Sequence, residues 1–174
     1  MEQLIVGGVD FTEFRGIPYE ASRHPGSVPV DEFLKNPRLG ANCELFGLGI
    51  WRKAGFYVEP KRSIELWHDT NFTVEVKEAP YKPYDCFLFL PKGVDPHKLS
   101  EEIKNVHGLS ENDINELKKF HQAVCIGVSH GDYRNGSFLH LPKPGPSCIW
   151  QFDDFARWEK EYWLFKVKRP YRLR

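Results

Sequence analysis

The sequence predicts an α+β domain: a helix packed on one face of a curved antiparallel sheet of about five or six strands. Three observations predict it. One stretch, residues 43–54, carries apolar residues at helical spacing. A series of later runs is short and either alternating or continuously apolar, the pattern of strands. Most of those runs are joined by short turn-rich segments, and short connections favour antiparallel pairing. With 174 residues, 41% of them hydrophobic, the chain can bury a core without disulfides or metal. The reading is a single domain over residues 1–174.

The elements follow in order. Residues 1–40 are rich in Pro and Gly, show little periodicity, and are expected to wrap the core as an extended arm. Within them Val30–Leu34 forms a short helix that Asn36-Pro37 stops. From Cys43 the small and apolar positions are Cys43, Phe46, Gly47, Ile50, Trp51 and Ala54, one face of a helix, with Gly55 as its C-terminal stop. Ser63–Trp67 reads as a short strand. Asn71–Lys77 alternates with period two and reads as a half-buried strand, and Cys86–Leu90 is continuously apolar and reads as a central one.

Residues 95–120 change character. Asp95-Pro96-His97 opens a helical stretch to about Val106. Ser110-Glu111-Asn112-Asp113 resembles an N-cap and opens a second one to about Lys119. The pair reads as a helical insertion between two strands. Strands then return at Gln122–Val128, Phe138–Leu141, Ile149–Phe152 and Trp163–Lys168. Trp150, Trp158, Tyr162 and Trp163 read as core or edge packing.

Charge and composition narrow the function. The 24 basic residues balance 24 acidic ones, which argues against a nucleic-acid partner. Lys166, Lys168, Arg169, Arg172 and Arg174 form a basic end, read as a solvated last strand. No stretch approaches the roughly 20 apolar residues of a membrane helix. The start, Met1 to Gly8, lacks the basic and apolar regions of a signal peptide, so the expectation is a cytoplasmic chain with no membrane partner. The four cysteines, 43, 86, 125 and 148, form no CxxC pair and predict neither a disulfide framework nor a zinc site. No phosphate loop or dinucleotide fingerprint is present, so no cofactor is expected.

Cys43 is the candidate nucleophile. A free thiol ionises near 8.5 and is mostly inert at neutral pH, but N–H groups in the first turn of a helix stabilise the thiolate. An imidazole completes activation, and a further polar residue fixes that imidazole's tautomer. His121 opens one strand and His140 ends the next, and the segment between them centres on His130-Gly131. Antiparallel pairing brings the two histidines within a few residues of register. If both face the helix that carries Cys43, the three side chains converge. Each has an ordinary reading too: a small core cysteine, a strand-start histidine, a half-buried satisfied one. Glu65–Asp69 holds a histidine and carboxylates at no metal spacing. Trp67 and His68 are cleft candidates, with a surface turn as the plainer reading. His24, His97 and His107 lie in polar contexts and need no function.

The run Asn42-Cys43-Glu44-Leu45-Phe46, then Tyr84-Asp85-Cys86-Phe87-Leu88-Phe89, then His121-Gln122-Ala123-Val124-Cys125-Ile126-Gly127 and Phe138-Leu139-His140, resembles the NlpC-type branch of the papain-like cysteine peptidases. The resemblance spans roughly residues 16–141. It implies Cys43 as nucleophile, His121 as base and acid, and His140 as orienting residue. Ile17-Pro18-Tyr19 is similar to the family's Pro-Tyr upstream of the cysteine, which implies an oxyanion role for Tyr19. Asn42 and Glu44 depart from the family's Asp and Ser, and its Trp-Gly-Gly segment is absent. These departures weaken the family's usual cell-wall substrate more than its fold. The Asn42-Cys43-Glu44 triplet is also similar to lecithin retinol acyltransferase relatives, in which the histidine precedes the cysteine. The expected activity is hydrolysis of a peptide or acyl-amide substrate through a thioester, with Asn42 at the cleft. Acyltransfer, deamidation and a non-catalytic papain-like binding module are the alternatives.

Overall fold

The computed structural model describes residues 2–91, 120–156 and 162–171. The helical insertion expected at 95–120 lies outside these residues apart from Phe120, as do His97, His107, Trp158, Arg172 and Arg174. In chain order the elements are strands β1 (Ile5–Val6) and β2 (Val9–Asp10), helices α1 (Val30–Lys35), α2 (Cys43–Lys53) and α3 (Ser63–His68), strands β3 (Thr73–Glu75), β4 (Cys86–Pro91), β5 (His121–Ser129), β6 (Asp132–His140) and β7 (Cys148–Gln151), helix α4 (Phe152–Ala156), and strand β8 (Tyr162–Pro170). The α+β class holds.

One six-stranded sheet runs in the order β3-β8-β4-β5-β6-β7. Every pairing in it is antiparallel. The continuously apolar β4 lies inside it, between β8 and β5, because both of its faces are covered. On one face α2 lays Leu45, Phe46, Ile50 and Trp51 over Cys86, Leu88, Val124 and Leu139. On the other, Phe87, Phe89, Ala123, Cys125 and Phe138 gather around Phe155 of α4. Alternation of side chains along each strand makes that division, since neighbouring residues point to opposite faces.

The first forty residues are less extended than expected. They contain the β1–β2 hairpin, α1 and two 3-10 turns, and they fully bury Phe11, Phe14, Ile17 and Phe33 against α2. The segment read as a strand at Ser63–Trp67 is the helix α3 instead. Its buried residues, Ser63, Ile64, Leu66 and Trp67, follow helical spacing, and the Arg62 backbone N–H donates to Glu65 Oε1 at 3.0 Å at the helix start. The basic last strand is not simply solvated. Lys168 is buried with Nζ donating to the Asp69 carbonyl at 2.6 Å, and Arg169 grips the buried Asp85 carboxylate through Nε at 2.7 Å and a second nitrogen at 2.8 Å.

Close packing on α2 gives a direct test. A Cβ built at Gly49 would lie 2.5 Å from Cε2 of Phe33, a ring with no exposed surface to retreat to. Overpacking of this kind costs about 1–3 kcal/mol, against a helix-propensity gain of up to about 1 kcal/mol for Ala over Gly. Gly49→Ala is therefore expected to lower the urea midpoint, and a raised midpoint would contradict this packing.

Candidate active site

Asn42 caps α2. Its backbone is extended, and its side-chain oxygen accepts from the Leu45 N–H at 2.9 Å. Its amide nitrogen donates to Glu44 Oε1 at 2.9 Å. Cys43 is then the first helical residue, 6% exposed, at the electropositive end of the helix. Its thiol donates to the Phe120 carbonyl at 3.6 Å, and the Gln122 backbone N–H lends some support to its thiolate. Sγ thus lies against the main chain on both sides of His121.

The helix end does not win electrostatically. Burial, followed by the neighbouring Glu44 carboxylate, pushes the Cys43 thiol up to about 12. Glu44, which the sequence offered only as a departure from a familiar pattern, is a buried hub. It accepts from the Asn42 amide, from the Ser63 backbone N–H, and from Arg62 Nε at 3.0 Å. Burial raises its carboxyl above the ordinary range, and the Arg62 guanidinium opposes that shift. Ser63 Oγ in turn accepts from Gln122 Nε2 at 2.9 Å, which ties α2, α3 and β5 together. A capping Asn followed two residues later by an acid was the one sequence signal for this cluster.

The histidines meet as expected, on an unexpected face. The hairpin turn is His130-Gly131, both at positive φ (55° and 71°), and Ser129 pairs with Asp132. Unbroken pairing from that turn would set His121 opposite His140. Irregularities between Cys125 and Gly127 and between Gly127 and Ser129 move the register, so His140 pairs with Ala123. A shift of two residues keeps the same face. His121 Nε2 and His140 Nδ1 are 2.8 Å apart in a shared hydrogen bond.

That face is the one away from α2, so the three side chains do not converge across it as the sequence reading required. Gln122 and Val124 face α2, and a Cβ on Gly47 would come within 2.8 Å of Gln122 Oε1. Alternation then turns His121 outward, where it stacks on Phe89 with centroids 6.3 Å apart, while His140 sits 4.2 Å from the Trp150 ring. Burial holds both imidazoles well below their ordinary 6.5, and each acts as a neutral ring.

Tyr19 reaches the site although it lies far from Cys43 in sequence. A parallel bridge joins it to Ala41, and the Glu20 N–H donates to the Ala41 carbonyl at 2.9 Å. Burial first, then the nearby Cys43 and Glu44, pushes its phenol up to about 12. Gly145, at φ +89°, backs onto it so closely that a Cβ would lie 2.9 Å from the Tyr19 nitrogen. An open cleft exposes this corner, lined by Tyr19, Ser22, His24, Asn42, Cys43, Glu44, Arg62, Phe120 and Lys143 among others. Trp67 and His68 are not part of that lining. They end α3, where Trp67 is buried beneath Lys166 Nζ at 4.7 Å from its ring.

All four cysteines are free thiols. Among the described residues no group of three or more His, Cys, Asp or Glu is placed to hold a metal, and no helix is long and apolar enough to cross a membrane. No protein-family model matches this chain, and neither a curated protein nor a solved structure matches it.

Proposed function

We propose that the protein is a cysteine hydrolase of papain-like descent that cleaves an amide or peptide bond through a thioester. Cys43 is the nucleophile, His121 the base and acid, and His140 the residue that orients His121. One observation supports this most. Sγ of Cys43 lies against the main chain flanking His121, whose Nε2 is 2.8 Å from His140 Nδ1. The cleft gives a carbonyl access to Sγ with Tyr19 at its wall.

In this reading Sγ bonds to the carbonyl carbon as its proton passes to the His121 imidazole, which lies on the other face of the sheet and must turn toward α2 to receive it. The Tyr19 hydroxyl and the Cys43 N–H stabilise the oxyanion. The carbon–nitrogen bond breaks as His121 returns the proton to the departing amine. Water then attacks the thioester, with His121 taking and returning one proton, and releases the acid and the thiol. The resting site holds thiol and imidazole neutral, and burial is the first cause of both shifts. Proton transfer therefore coincides with attack on a bound carbonyl.

The test is p-nitrophenyl acetate. The expected result is a burst of nitrophenolate approaching one per chain, with acetyl mapped to Cys43 by mass spectrometry and lost in Cys43→Ala. Acetyl spread over the cysteines alike, or an unchanged burst in Cys43→Ala, would overturn the assignment. Adding amine or alcohol acceptors then separates hydrolase from acyltransferase by the product formed. The burial of thiol and imidazoles favours one second reading, a non-catalytic binding domain, for which no burst is expected.

A further inference from the structure

The cleft over Cys43 is rich in hydrogen-bond donors and poor in free acceptors. It encloses about 470 Å³, the size of a small-ligand site. Two cations line it, Arg62 and Lys143, and one carboxylate, Glu44. Glu44 is buried, and its oxygens already accept from the Asn42 amide, the Ser63 backbone N–H and Arg62 Nε. The Asn42 side-chain oxygen is taken by the Leu45 N–H. The donors are not spent. Arg62 uses Nε on Glu44 and keeps its terminal N–H groups, and among the described residues no carboxylate pairs with Lys143. His24 accepts the Gly26 N–H on Nδ1 at 3.0 Å. Burial, then the Arg62 charge, lowers that ring, so it stays neutral with its proton on Nε2. Lys143 is exposed, yet its loop is pinned. Ser147 Oγ accepts from the Ile17 N–H at 2.7 Å, the Ser147 N–H donates to the Ile17 carbonyl at 2.8 Å, and Gly145 packs on Tyr19.

We propose that this cleft binds a carboxylate: Lys143 and the terminal nitrogens of Arg62 hold an acidic group of the ligand beside Cys43. An ionised carboxylate only accepts hydrogen bonds, which is what a lining of unspent donors calls for, and its two oxygens match the fork of a guanidinium. The Arg62 charge acts on Tyr19, His24 and Cys43 alike, so it is felt across the cleft. Because Arg62 is already paired with Glu44, Lys143 supplies the uncompensated positive charge. Glu44 is the group there that would repel an anion, and three donors hold its charge inward. The ligand is then an acidic peptide, with its carboxylate on an Asp or Glu side chain or at a chain end, close to the bond that Cys43 attacks. Naming that peptide a substrate rests on the hydrolase reading; the preference for a carboxylate does not.

The experiment is a titration of the full chain labelled with 15N, read from backbone amide shifts, with alanine-based tripeptides. One has Glu at its centre and both ends blocked, one has Gln there instead, and an all-Ala one keeps a free carboxyl end. An acidic peptide is expected to shift the amides of Asn42, Cys43 and Lys143 and to bind about tenfold more tightly than the Gln peptide, as one charge-assisted hydrogen bond supplies. Whichever acidic peptide binds more tightly tells side chain from chain end. Lys143→Glu should remove the advantage, Lys143→Arg should keep it, and added salt should shrink it. Equal binding of acidic and Gln peptides, no shift at the cleft with either acidic peptide, or an advantage that survives in Lys143→Glu overturns the proposal. If the acidic peptides bind as expected but p-nitrophenyl acetate never acetylates Cys43, the carboxylate site stands and the hydrolase reading falls. If Cys43 is acetylated and no acidic preference appears, the hydrolase reading stands and the carboxylate site falls.

Discussion

His121→Ala is expected to slow acetylation of Cys43 by about 10²–10⁴-fold, the range that general-base catalysis supplies. The electrostatics of the site make the effect large. With burial, then the Glu44 carboxylate, pushing its thiol well above the ordinary range, Cys43 rests as the thiol at pH 7. Attack by pre-formed thiolate is then negligible, and nearly all flux needs a base to take the proton during attack. Loss of the ring also leaves His140 Nδ1 buried without its 2.8 Å partner, at a cost of about 1–3 kcal/mol. His121→Gln separates the two effects, because glutamine keeps a hydrogen-bonding side chain and cannot carry the proton. Both variants should be slowed alike while folded by circular dichroism. A glutamine variant within a few-fold of wild type would remove His121 from the reaction. Because burial holds His121 below its ordinary 6.5, the wild-type rate should also show no break near that pH.

The elements that set this site differ in how openly the sequence carries them. The run Cys43 to Ala54 declares a helix by its spacing, and the structure begins it at Cys43 because Asn42 caps it. The apolar run Cys86–Leu90 declares a strand covered on both faces, which is where β4 lies. The meeting of His121 and His140 is legible as well, from a hairpin centred on His130-Gly131. The face they occupy is not. It depends on whether Gln122 or His121 turns toward α2, and only the close fit of Gln122 against Gly47 and its bond to Ser63 decides that. Ser63–Trp67 misleads because a five-residue run with Ile64 and Leu66 two apart fits a strand as well as a helix. The deciding signal is Glu65, three residues after Arg62, whose carboxylate accepts from the Arg62 backbone N–H at the helix start. Glu44 is opaque for a different reason: a carboxylate in a helix's first turn is ordinary on a surface, and its burial follows from α3 folding back over it.

The buried histidine pair also predicts how the fold responds to acid: taking the protein from pH 7.5 to pH 5 is expected to cost about 4 kcal/mol of stability through these two rings. Both imidazoles are depressed in the folded state relative to an ordinary 6.5, by burial first, and for His140 by the neighbouring His121 second. A base with a depressed folded value binds its proton more readily unfolded. Its contribution is therefore fully present above about 6.5 and is lost as pH falls from there toward the folded values. At pH 5 each ring lies about 1.5 units below its unfolded value, or about 2 kcal/mol at 1.36 kcal/mol per unit. The exposed surface of the two rings is 4% and none, so solvent screens little of this. Glu44 acts in the opposite sense, since burial raises its carboxyl and acid relieves that cost. Subtracting a His121→Gln/His140→Gln double variant isolates the histidine share, because Glu44 and every other histidine are common to both proteins. Urea unfolding at pH 7.5 and 5 should give a wild-type loss that exceeds the double variant's by about 4 kcal/mol. Equal losses would mean that the folded pair takes up protons freely, and with that the argument for a neutral His121 would go too.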